Sequence, residues 1–175
     1  MVAPRRVEIW TDPGGGVLAD HVHPALEDRY EILEGELTFR VDGKARRAGP
    51  GERLVVAPGV RHSFQNMGEQ PAHLVVVAAP ALRLRETIED GAALMRAERF
   101  SESGTPRSLR ALVEAAALAR RHRGTVVLSS PPAAIQRLLF PLLARFAAPS
   151  RSSREASVIT RALPQPDAPQ CSPRR

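Results

Sequence analysis

The chain has 175 residues, a net charge of +6, 43% hydrophobic and 4% aromatic residues, and a single cysteine, Cys171. That size suits one domain with appendages, and a lone thiol excludes an internal disulfide framework. No stretch approaches the ~18 uninterrupted apolar residues of a spanning helix, and no apolar run of signal-peptide length precedes Asp12, so a cytoplasmic setting is expected.

The charge is unevenly spread. Residues 1–80 carry nine basic and eleven acidic side chains, and residues 81–175 carry sixteen and eight. Every basic residue except Lys44 is arginine. The back half therefore reads as a solvated, arginine-biased surface, and no nucleic-acid partner is expected.

Residues 5–80 read as short strands punctuated by glycine and proline. Val7–Trp10 alternates and Pro13-Gly14-Gly15-Gly16 breaks it. Val17–His23, Arg29–Leu33 and Glu36–Val41 follow, and Asp42-Gly43 is a hairpin signal because both central positions of the favoured turn need positive φ. Leu54–Val56, His62–Asn66 and His73–Ala79 complete the series, which suggests an antiparallel sandwich or small barrel. After Pro80 the pattern becomes helical. Helices are expected over 84–100, 108–122 and 133–147, with an apolar stripe of Leu109, Leu112, Val113, Ala116 and Ala117. Gly124 is expected to stop the second helix, 125–128 is strand-like, and Pro141 is expected to kink the third helix. The expected organisation is a β unit over 1–80, a helical extension over 81–148 that packs on the β unit or on a partner, and a disordered basic tail over 149–175.

Three of the five histidines, His21, His23 and His62, occur in two short stretches. His21 and His23 share a strand face because side chains alternate with period 2. The same parity sends Asp28, Tyr30 and Ile32 one way and Arg29, Glu31 and Leu33 the other, so Asp28 is the inward carboxylate; a bulge would deliver Glu27 instead. His62, Phe64 and Asn66 share a face. Imidazoles with one carboxylate suit Fe, Mn, Ni, Co or Zn and leave coordination positions for water or substrate. Tyr30, Phe64 and Asn66 are the candidate substrate-pocket residues. Arg40 and Arg61 could hold a substrate carboxylate, although parity turns Arg61 away. His73 reads as a surface position, His122 as a helix-end residue whose positive charge complements the dipole with no functional role expected, and Trp10 as packing.

Two motifs in these stretches resemble the cupin superfamily. Gly15 is followed by five residues, then His21-Val22-His23, four residues, Asp28, six residues and Gly35. Further on, Gly51 leads to Ala57-Pro58-Gly59, His62 and Asn66. The chain departs from the family pattern at Asp28, where a glutamate is usual, and at Ala57, where a proline is usual. The resemblance implies a mainly β fold: a small antiparallel double-stranded β-helix (jelly-roll) barrel with a divalent metal inside, here followed by a C-terminal α-helical extension. It implies His21, His23, His62 and Asp28 (or Glu27) as metal ligands, and a small organic molecule as substrate or ligand. The family hosts dioxygenases, isomerases and related enzymes, so the fold does not select the reaction. An oxidoreductase- or isomerase-type enzyme is expected, with a non-catalytic small-molecule or metal-binding module as the alternative. A homodimer is expected by analogy, because the sheet edges of such barrels often pair. Helix 133–147 is read as a lid or packing element in preference to a membrane-surface segment.

Overall fold

The computed structural model describes residues 4–95, 106–147 and 161–162. The first eight strands are β1 (Arg5–Thr11), β2 (Gly16–Val22), β3 (Glu27–Glu34), β4 (Leu37–Val41), β5 (Lys44–Ala48), β6 (Arg53–Val56), β7 (His62–Gln65) and β8 (Ala72–Ala79). Then come helix α1 (Leu84–Met95), helix α2 (Leu109–Arg121), strand β9 (Val127–Leu128), helix α3 (Ala133–Leu143) with a 3₁₀ turn (Ala144–Phe146), and strand β10 (Arg161–Ala162).

The described strands form two antiparallel sheets, in the orders β10-β1-β8-β3-β6 and β5-β4-β7-β2-β9. Alternation explains which side chains meet between them. From β1, Val7 and Ile9 point inward; from β3, Asp28, Tyr30 and Ile32; from β8, Ala72, Leu74, Val76 and Ala78. With Leu37, Phe39 and Phe64 of the facing sheet they make one apolar core. Asp42 and Gly43 have φ of 49° and 80°, the primed-turn geometry expected of this pair, and Val41 faces Lys44 across the hairpin. Gly35, at φ 73°, sits where a Cβ would lie 2.8 Å from Ala72, so the turn after β3 admits only glycine without strain. Strand β2 is irregular: Val17 faces Phe64 and His21 faces His62, so extra residues of β2 bulge between the two contacts.

The C-terminal extension is tied to this β unit. Helix α1 inserts Leu84 into the core, with Ile88 against it. Strands β9 and β10 add to the free edges of β2 and β1. Such edges otherwise expose unpaired backbone groups.

The second helix forms close to its expected 108–122, but its buried face is not the expected stripe. Helix α2 ends at Arg121, before Gly124, with His122 as its C-cap; Ser108 caps the other end, its hydroxyl accepting from Ala111 N. The buried face of α2 is Ala111, Val113, Ala116 and Ala119, whereas Leu109 and Leu112 are exposed. Helical periodicity defines a stripe, but the neighbours that arrive decide which stripe is covered. Helix α3 does not bury its apolar surface on the β unit: Phe140 packs on Ala116 and Ala119 of α2, while Ile135, Leu138, Leu139 and Leu142 stay exposed. Pro141 lies inside α3, whose α-helical part ends at Leu143. Residues 96–100 of the first expected helix, and all of 149–175 except 161–162, lie outside the described residues. No helix among the described residues is long and apolar enough to cross a membrane.

Candidate metal centre

Strand β2 and the residue after it bring His21 and His23 to the interior, β7 brings His62, and β3 brings Asp28. These four side chains are 6%, 4%, 1% and 1% exposed. The ligand atoms of His21, His23 and His62 lie within 4.8 Å of one another. Asp28 Oδ2 is 3.1 Å from His23 Nε2 and 3.4 Å from His62 Nε2. Glu27 instead points outward and pairs with Arg29 at 2.7 Å, so the interior carboxylate is Asp28.

The tautomers follow from the hydrogen bonds. His21 Nδ1 lies 3.0 Å from the Ala19 carbonyl, His62 Nδ1 3.0 Å from the Val60 carbonyl and His23 Nδ1 2.6 Å from the Thr125 carbonyl. A carbonyl only accepts, so each Nδ1 carries the proton and donates it. In a neutral imidazole that leaves Nε2 as a lone pair. The Asp28 carboxylate is likewise acceptor-only. Lone-pair atoms thus face one another at 3.1 and 3.4 Å, and only a proton or a cation between them relieves the repulsion. Asp28 Oδ1 and His62 Nε2 have no hydrogen-bond partner among the described residues, although both are buried. Buried orphans of this kind call for an explanation, and a divalent cation supplies one. Imidazoles whose second nitrogen is fixed by a carbonyl are the usual dress of metal-binding histidines.

Electrostatics run the same way. Burial, then the neighbouring His62 and His23, push the His21 imidazole down to about 3, so it is neutral near pH 7 and its lone pair is available. Burial would raise the Asp28 carboxyl, but hydrogen bonds and positive charge from the adjacent His23 and His62 imidazoles, which arise when a proton lies in the gap, outweigh that and hold it at about 2. Burial and the adjacent Asp28 push the Tyr30 phenol well above its ordinary value; it stays protonated and donates to Asp28 Oδ2 at 3.3 Å.

Of the pocket candidates, Tyr30 touches the cluster. Its ring lies 6.3 Å from that of His62. Phe64 packs against Tyr30 and Phe39, with ring centroids 5.9 and 5.6 Å away. Asn66 is spent elsewhere: its amide donates to the Thr11 and Gln70 carbonyls and accepts from Gly68 N, which ties the β7–β8 loop to β1. The buried amide thus holds three loop bonds at once. Arg40 and Arg61 are exposed. His73 stacks on Trp10 at 4.1 Å. His122, at the C-terminal end of α2, is buried and bonds Asp90 at 2.8 Å and Thr87 at 3.0 Å. The Thr125 carbonyl escaped the sequence reading altogether, since a main-chain acceptor leaves no mark in side-chain identity. A separate groove of about 320 Å³, lined by Leu109, Arg110, Val113, Glu114, Phe146 and Ala147, shares no residue with the cluster.

Two antiparallel sheets with an apolar core and three histidines buried between them fit the double-stranded β-helix class. Residues 8–78 match the family model of the cupin domain. It is 37% identical over 68 residues to the tetracenomycin polyketide synthase protein TcmJ of Streptomyces glaucescens, covering 39% of this chain and 45% of that one. It is 29% identical over 66 residues to the polyketide synthase CurC of Streptomyces cyaneus, covering 38% and 43%. The chain thus spans less than half the length of these curated relatives. A conserved double-stranded β-helix protein of Klebsiella pneumoniae is a structural neighbour at 28% identity and a TM-score of 0.43, covering 46% of this chain and 70% of that one.

Proposed function

We propose that the protein is a metal-dependent enzyme acting on a small organic molecule, by dioxygenase, isomerase or related chemistry, with His21, His23, His62 and Asp28 holding a divalent transition metal (Fe, Mn, Ni, Co or Zn). One observation carries the reading: three buried imidazoles, each with Nδ1 committed to a carbonyl, turn their Nε2 lone pairs toward one another and two of them toward a buried carboxylate. A bound metal would supply Lewis-acid polarisation of a substrate oxygen or, if redox-active, electron transfer. The chain's own residues do the rest. Asp28 would offset part of a bound ion's charge inside an apolar core, and Tyr30 holds Asp28 through its hydroxyl. The rings of Tyr30, Phe39 and Phe64 pack together and exclude water from beneath the cluster.

The names of the curated relatives tie them to polyketide synthesis. An oxygen-rich polyketide-type intermediate, able to chelate a metal, is therefore the first substrate class to try. A non-catalytic binding module is the second reading, and the deep burial of all four candidate ligands favours it. The test is incubation of metal-loaded protein with a panel of phenolic polyketide-type compounds, following oxygen consumption and products by mass spectrometry. Conversion of many equivalents per protein supports the enzyme; saturable binding without conversion supports the module; neither would remove this substrate class.

A further inference from the structure

We infer that the C-terminal extension is a working part of the metal centre: the main-chain carbonyl of Thr125 is the orienting partner of His23, and residues 125–129 dock on strand β2 in a manner coupled to the metal. The inference rests on the metal reading proposed above.

The three histidines are not served alike. His21 and His62 each donate to a carbonyl two residues back in their own segment, Ala19 and Val60. His23 donates to a residue 102 positions away, at 2.6 Å and fully buried. The partner of His23 therefore lies outside the cupin-matching residues 8–78 and belongs to the extension.

The extension meets this stretch residue by residue. Ser129 N donates to the Asp20 carbonyl at 2.9 Å, Leu128 pairs with His21, Val127 pairs with Val22, and Thr125 receives His23. The run is held from behind as well. The His122 carbonyl accepts from Thr125 N at 2.7 Å and Val126 N at 2.8 Å, which fixes the turn that aims the Thr125 carbonyl. His122 is itself clamped to α1 by Asp90 and Thr87. From the other side, Gln136 of α3 donates to the Leu128 carbonyl at 2.7 Å.

A carbonyl on Nδ1 fixes both the tautomer and the ring orientation of a ligand, and losing such a partner typically costs about 10–100-fold in metal affinity. Coupling is reciprocal. If the docked segment strengthens metal binding through His23, metal must strengthen the docking of 125–129 to the same degree.

The test uses the full chain and Co²⁺ as probe. Hydrogen exchange of the 125–129 backbone is compared between chelator-stripped and Co²⁺-loaded wild type, and Co²⁺ affinity and visible spectrum are measured for wild type, Val127→Pro and Thr125→Ala. Val127→Pro removes an N–H and disfavours the paired strand, whereas Thr125→Ala keeps the carbonyl. Expected are slower exchange at 125–129 on loading, an about 10–100-fold weaker and spectrally shifted Co²⁺ site in Val127→Pro, and an unchanged site in Thr125→Ala. Wild type that binds Co²⁺ with exchange at 125–129 unmoved would overturn the coupling and leave the metal reading standing. Wild type that takes up no Co²⁺ would remove both. The exchange comparison needs no variant, so a misfolded Val127→Pro does not blunt the test.

Discussion

Asp28 Oδ2 stands 3.1 Å from His23 Nε2, although the only proton of a neutral His23 is committed to the Thr125 carbonyl on the other side of the ring. Two acceptor atoms facing one another across that gap repel unless a proton or a cation lies between them. A cation that fills it displaces the proton, so metal uptake is expected to release acid and to weaken as pH falls. Isothermal titration in buffers of different ionisation enthalpy reads the proton count directly, and uptake without proton release would contradict this arrangement.

The metal-free protein should lose stability as pH falls from about 6.5 toward 3. The unfolded chain protonates His21 near 6.5, but the folded chain resists until about 3. In that window the unfolded state binds more protons, and stability falls with falling pH at up to ~1.4 kcal/mol per pH unit. Asp28, depressed from 3.8 to about 2, adds a loss of the same sign between those values. Urea melts of stripped protein at several pH values between 7 and 3.5 check this; a flat profile would mean that the imidazole is not held neutral.

Asp28→Asn should weaken metal binding at least about tenfold, in line with losing a ligand or its close partner, while Glu27→Gln should leave it unchanged. Glu27 only pairs with Arg29 at the surface, and such pairs contribute ~0–1 kcal/mol to stability. Titration of the two variants side by side is the check, and the reverse order would make Glu27 the working carboxylate.

Asn66→Ala should leave metal content intact but destabilise the fold by about 2–4 kcal/mol, because it strips partners from buried loop groups. Thermal melts with metal analysis separate this from a pocket role, which would instead show as altered ligand binding at nearly unchanged stability.

Leu138→Gln should change stability by no more than ~0.5 kcal/mol, as expected of an exposed position. Leu138 is 70% exposed on α3 despite lying in the most apolar segment of the extension. A loss of several kcal/mol in denaturant melts would show that this face is covered in solution.

How far the sequence could be read depended on the kind of signal. Period-2 alternation carries the inward set of β3, and Asp28, Tyr30 and Ile32 are all buried. Backbone chirality carries the Asp42-Gly43 hairpin, because few residue pairs accept positive φ twice. The helices were legible as helices but not in their buried faces: Leu109 and Leu112 look like core on a helical wheel, yet α3 settles on Ala116 and Ala119. Asn66 shares strand parity with His62, but parity fixes only a direction, and its amide met loop carbonyls instead of the cluster. The pairing of His23 with the Thr125 carbonyl had no sequence signature, since any residue at 125 offers the same acceptor.

The most direct measurement is metal content by elemental mass spectrometry on untagged wild type beside the His62→Ala variant. Near-stoichiometric transition metal is expected in the wild type, directly or after reconstitution, together with its loss in the variant. No metal in the wild type even after reconstitution, or equal metal in both proteins, would contradict it.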